Sequence, residues 1–159
     1  MEKILDKQAL LDQLNGYIVD YSIEDFSDTD WYLGELISKN WATFSGYYPI
    51  MLEACYLLME RSVSEDFHSY NLIHAIEAEN KFSDDIYLTQ LFKSLDRKPT
   101  YLATNLLCRM INGNFHTHEC LKKLTEIANN PSISAYIRED AQDSLARFLK
   151  EKNTNFEDL

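Results

Sequence analysis

Glycine and proline are scarce in this chain, at four and three of 159 residues. Collagen-like repeats, flexible linkers and turn-rich all-β folds need many more of both. Cysteine occurs only three times, an odd count, so the sequence holds no disulfide framework. Gly16, Gly34, Gly46 and Gly113 stand alone, which excludes a glycine-rich phosphate loop. No serine occupies a Gly-x-Ser-x-Gly elbow. Long apolar runs are missing as well. The most apolar stretch, residues 47–59, spans thirteen residues and includes Glu53. That is too short for a membrane span and suits a buried helix. The first residues alternate charged with apolar side chains and lack the core of a signal peptide. The sequence therefore reads as a cytoplasmic protein with reduced thiols.

Positive charge is the other shortage. Fifteen Lys and Arg face twenty-six Asp and Glu, for a formal net charge of -11. The imbalance is one-sided along the chain. Residues 1–79 hold fifteen acids and only four bases, Lys3, Lys7, Lys39 and Arg61. Residues 80–159 hold eleven of each. Between Lys7 and Lys39 there is no cation, and Asp20, Glu24, Asp25, Asp28, Asp30 and Glu35 lie in that interval. Such a field repels phosphate backbones and anionic lipid, which argues against nucleic acid and membrane as partners. It attracts basic protein surfaces and speeds encounter with them. Acidic charge also simply keeps proteins soluble.

What the chain does contain is helical patterning. The 45% hydrophobic and 13% aromatic content allows a core, and a chain of this length can bury roughly two-thirds of its unfolded surface. Start signals recur at Asp28, Ser64, Ser83, Thr117 and Ser134, each able to accept the free amide hydrogens of a first turn. Gly16, Gly113 and Asn129-Asn130-Pro131 read as stops. All three prolines, Pro49, Pro99 and Pro131, fall at or just before helix starts. The apolar spacing predicts helices over 2–14, 29–40, 48–61, 65–79, 84–96, 100–112, 118–129 and 133–151. The fourth carries a stripe of Phe67, Tyr70, Ile73, Ile76 and Glu77 with Leu72 off it, and the fifth a stripe that begins at Ile86. Tyr17–Ile23 alternates and fits a short strand or an irregular packed loop. Short connections imply antiparallel neighbours. The expected fold is all-α, a single domain over residues 1–151 with a frayed tail over 152–159. Its antiparallel hairpins would stack as a HEAT-like α-solenoid or pack as an irregular bundle.

Candidates for chemistry are weak. His116-Thr117-His118-Glu119-Cys120 gathers metal donors, with His68, His74 and Cys108 as further candidates, but zinc needs ligands fixed from more than one segment. The plainer reading puts two polar histidines near a helix start and Cys120 in the core. Cys55 and Cys108 lie in apolar runs where a thiol is inert packing. No catalytic residue, cofactor site or metal site is assigned. Two mixtures of aromatic and acidic residues remain. Phe26, Trp41 and Phe44 suit packing. Asp25, Asp28, Asp30, Trp31, Tyr32 and Glu35 suit an interface, since Tyr and Trp anchor interfaces and carboxylates pair with a partner's basic residues.

Two resemblances follow. Residues 130–145, with Ile137, Arg138, Ala141 and Leu145, resemble the second helix of a HEAT-type repeat. The resemblance implies that Ala141 lets a neighbouring helix approach and that Arg138 bonds to a neighbouring turn. The size, the clustered acids among aromatics and the HEAT-like end also resemble the small acidic helical immunity proteins of bacterial toxin–immunity pairs, the contact-dependent growth inhibition group in particular. That resemblance implies a non-enzymatic inhibitor in a one-to-one complex with a basic toxin, a nuclease foremost. A non-catalytic helical adaptor is the alternative.

Overall fold

The computed structural model describes residues 8, 9, 12, 31, 34, 35, 48–61, 65, 69–77 and 85–152. The expected helices over 2–14 and 29–40, the segment Tyr17–Ile23, the packing of Phe26, Trp41 and Phe44, and the tail beyond Lys152 fall wholly or mainly outside them. Six helices carry the described fold. They are α1 (Tyr48–Glu60), α2 (Tyr70–Glu77), α3 (Asp85–Arg97), α4 (Tyr101–Asn112), α5 (Thr117–Asn129) and α6 (Ala135–Lys152). No strand occurs among the described residues, and the fold is an all-α bundle.

Two helices form the centre because their sequences are apolar on nearly every side. In α1, Leu52, Cys55, Tyr56, Leu58 and Met59 are buried, and among its described side chains only Leu57 is an exposed large apolar residue. In α4, eight of the twelve residues are buried, from Leu102 to Ile111. The other helices each offer one stripe. On α3 it is Tyr87, Gln90, Leu91, Ser94 and Leu95, a spacing of 3, 1, 3 and 1 that keeps one face inward. On α5 it is Cys120, Leu121, Leu124, Ile127 and Ala128. On α6 Ile137, Ala141, Leu145, Phe148 and Leu149 face the core. The principal packing runs α1 on α3, then α3 on α4, α4 on α5 and α5 on α6, with α1 and α6 also touching α4.

Several sequence expectations are corrected in detail. The helix expected from residue 65 starts at Tyr70, because Ser69 rather than Ser64 caps it. Ser69 Oγ accepts from the Leu72 amide at 2.9 Å, and Glu65 lies in a turn. Leu72, expected off the stripe, is 1% exposed. Ile86, expected on one, is 39% exposed, since the α3 face begins at Tyr87. Thr117 does not cap α5. His116 holds that position in the left-handed region, at φ 46°, with no side-chain cap bond. Gly113 does end α4, but at φ -80°; the left-handed residues are Asn114 and His116. Ser134 caps α6 as expected, its Oγ accepting from the Ile137 amide at 3.4 Å. Thr100, expected inside α4, caps it instead, its Oγ1 accepting from the Ala103 amide at 3.1 Å. Asp28 and Ser83 lie outside the described residues.

Polar clips fix the order of the helices. Glu60 ends α1, and its Oε1 accepts from Ser94 Oγ at 2.9 Å and from Arg97 Nε at 3.0 Å. Glu77 ends α2 and takes Arg109 of α4 in a two-pronged bond, at 2.7 and 2.6 Å. Gln142 Nε2 donates to the Ala128 carbonyl at 2.9 Å, joining α6 to the end of α5. Ala141 is fully buried, as a small residue between packed helices should be. The bond to a neighbouring turn expected of Arg138 is absent among the described residues, and Gln142 makes the equivalent link.

Candidate functional site

The six residues singled out as an interface are only partly visible. Asp25, Asp28, Asp30 and Tyr32 lie outside the described residues. Trp31 and Glu35 are described, and both have helical backbone. Trp31 is 58% exposed, the most exposed of the large apolar side chains among the described residues. An indole left in water forgoes the burial that normally recommends tryptophan to a core, about 25 cal/mol for each Å² of apolar surface. Glu35 is half-buried and has an interaction within the chain.

The donor cluster around residue 116 is pulled apart by the start of α5. His116 is half-buried at the cap, His118 is exposed, and Cys120 points into the core with 0% exposure. The Cys120 thiol meets the Phe115 carbonyl at 3.9 Å. Among the described residues no three His, Cys, Asp or Glu gather in a way that could hold a metal ion.

Burial also fixes the state of the thiols. It pushes Cys55 and Cys120 up to about 12 and Cys108 up to about 11, the last in spite of a hydrogen bond with Ser144 that acts the other way. None is a thiolate near neutral pH, so none is an activated nucleophile there.

Sequence reading missed a groove at the far end of the bundle. It holds about 640 Å³ and opens where the α3–α4 turn meets the α5–α6 turn. These turns lie some thirty residues apart along the chain, so no local pattern announces it. Leu95, Ile127 and Ile137 supply a buried aliphatic floor, and Ile133 is half-buried beside them. Tyr101 lines one wall and packs on Tyr136, ring centroids 5.7 Å apart. Around the rim Lys123 lies between Asp96 and Glu126, with its ammonium 5.5 Å from the Phe92 ring centre. Desolvation opposes the charge on Lys123, but the two carboxylates outweigh it and hold its pKa above the usual lysine value.

No protein-family model matches the chain, and no curated protein or solved structure matches it either.

Proposed function

We propose that the protein is a non-catalytic inhibitor that binds one basic protein partner through its acidic, aromatic amino-terminal half. The partner class is a toxin of the nuclease type, neutralised by covering the surface that would hold phosphate. One observation carries the reading: Trp31, 58% exposed, stands in the interval that holds Asp25, Asp28 and Asp30 and no cation. A solvent-facing tryptophan in a stretch of sequence rich in carboxylates combines an anchor of large apolar area with charge that steers a cationic surface. Charge would set a fast on-rate, and the buried indole would slow dissociation.

The alternative is an adaptor that seats peptides of several proteins, and the groove between the turns favours it. One tight partner argues for the inhibitor, and several weak partners for the adaptor.

The test is association kinetics of the full chain with the protein encoded beside it. Association should slow by about tenfold or more between 50 and 300 mM salt. Trp31→Ala should raise the dissociation rate by about tenfold or more, while Asp25→Asn with Asp28→Asn should slow association. Kinetics indifferent to salt and to Trp31 would sink the proposal.

A further inference from the structure

The groove at the far end of the bundle has its own electrostatic logic. Formally its charged lining balances. Glu65, Asp96 and Glu126 stand against Arg97, Lys98 and Lys123. In exposure the acids lead, because two of the three cations are held by carboxylates and are less exposed than the acids. Arg97 is bound by Glu60 at 3.0 Å. Lys98 Nζ donates to the Glu60 carbonyl at 2.8 Å. The Lys123 side chain is only 14% exposed beneath its two acids. The acids keep their outer faces. Asp96 retains 66% and Glu126 55% of side-chain exposure, and each engages Lys123 through one oxygen only. Glu65 is exposed as well. A phosphate ligand would need several free cations, and among the described lining Lys98 alone keeps an exposed charge with no carboxylate partner.

We infer that the groove docks a short extended segment of the protein partner, one that places an aliphatic side chain next to a lysine or arginine. The aliphatic group rests on Ile133 and Ile137, and the cation reaches the outer oxygens of Asp96 and Glu126. The Tyr101–Tyr136 pair forms an amphipathic edge beside them. The volume of about 640 Å³ lies within the range of sites that bury small ligands. The inference rests on the reading of a basic partner and adds a second contact to it.

The test uses the full chain with methyl-labelled isoleucine and two probes, acetyl-Lys-Leu-Lys-Leu-amide and acetyl-Lys-Ser-Lys-Ser-amide. The leucine peptide should shift the Ile133 and Ile137 methyl signals. The serine peptide should bind about threefold more weakly or less tightly still, since it lacks the apolar contact. Asp96→Asn with Glu126→Gln should weaken the leucine peptide by about fivefold or more. Tyr136→Ala, at an exposed site, supplies a second variant that leaves the core intact. Unmoved methyl signals, or equal binding by the Asp96 and Glu126 variant, would overturn the groove. If salt-dependent capture of the partner persists in that case, the reading of the amino-terminal half still stands. Peptide binding in a chain that captures no basic partner supports the groove and overturns the other reading.

Discussion

A methyl group added at position 113 would stand 2.7 and 2.8 Å from two ring carbons of Phe115. Real side chains do not approach that closely, so the ring must move. Gly113 is required for this close approach and not for a left-handed turn, since its φ is -80°. Phe115 packs against the core from the turn, and its amide donates to the Met110 carbonyl at 2.9 Å. Gly113→Ala should therefore cost about 1–3 kcal/mol, the usual range for overpacking. Adding Phe115→Ala should make the second change at 113 nearly free, which a double-mutant cycle in urea would read. Strict additivity would refute the steric account. The thiols supply a second residue-scale prediction. Their folded values lie near 11 to 12, above the ordinary value of 9.0. Above pH 9 the unfolded chain loses thiol protons that the folded chain keeps. The unfolded state then binds fewer protons, so stability falls as pH rises. The contribution is complete below pH 9 and is lost between about 9 and 12. Unfolding curves from pH 8 to 10.5 should show this decline, and alanine at Cys55, Cys108 and Cys120 should flatten it. An unchanged slope would count against buried, protonated thiols.

At the scale of elements, helix positions were legible because the signal is periodic and repeated. The expected spans 48–61, 84–96, 100–112, 118–129 and 133–151 differ from the observed helices by at most two residues at either end. The misses have local causes. Ser64 and Ser69 are both competent caps, and spacing alone does not choose between them. Packing chooses Ser69, which is 1% exposed where α2 begins. Gln90 and Ser94 belong to the inner face of α3 although they are polar, so a reading built on apolar residues started that stripe at Ile86. Ser94 is tolerated inside because Glu60 accepts the hydrogen bond of its hydroxyl. The clip at Glu60 then makes a prediction for the α1–α3 contact. The Glu60 side chain is 10% exposed and serves both Ser94 and Arg97. Glu60→Ala should cost about 1–3 kcal/mol, because buried groups lose a charged partner. Arg97, more exposed at 35%, should cost less alone. The cycle between them should give a coupling of about 0.5–2 kcal/mol that shrinks in high salt. Zero coupling would mean that the pair only decorates the surface.

At the scale of the whole molecule, the charge asymmetry of the sequence survives folding only in part. Glu60 and Glu77 belong to the acidic half, yet each binds an arginine of the neutral half. Setting these two pairs aside leaves thirteen acids against four bases in residues 1–79, and eleven against nine in residues 80–159. The excess toward the amino terminus remains, so the binding proposal keeps its electrostatic basis. The groove was not legible at all, because charge counted along a chain cannot register which cations are already engaged. The same two bonds tie the halves together mechanically. Helix α1 touches both α3 and α4, contacts that span some forty residues of sequence. Neither α1 nor α4 can bury its apolar surface alone, since both are enclosed on nearly all sides. They should therefore open together. Amide exchange at Cys55 and Tyr56 of α1 and at Leu106 and Leu107 of α4 should require the full unfolding free energy, about 5–15 kcal/mol for a domain. Leu107→Ala, at a site with 0% exposure, should lower both sets by the same amount, about 2–5 kcal/mol. Exchange in α1 that ignores a cavity in α4 would mean two independent folding units, and the continuous core drawn here would then be two cores in contact.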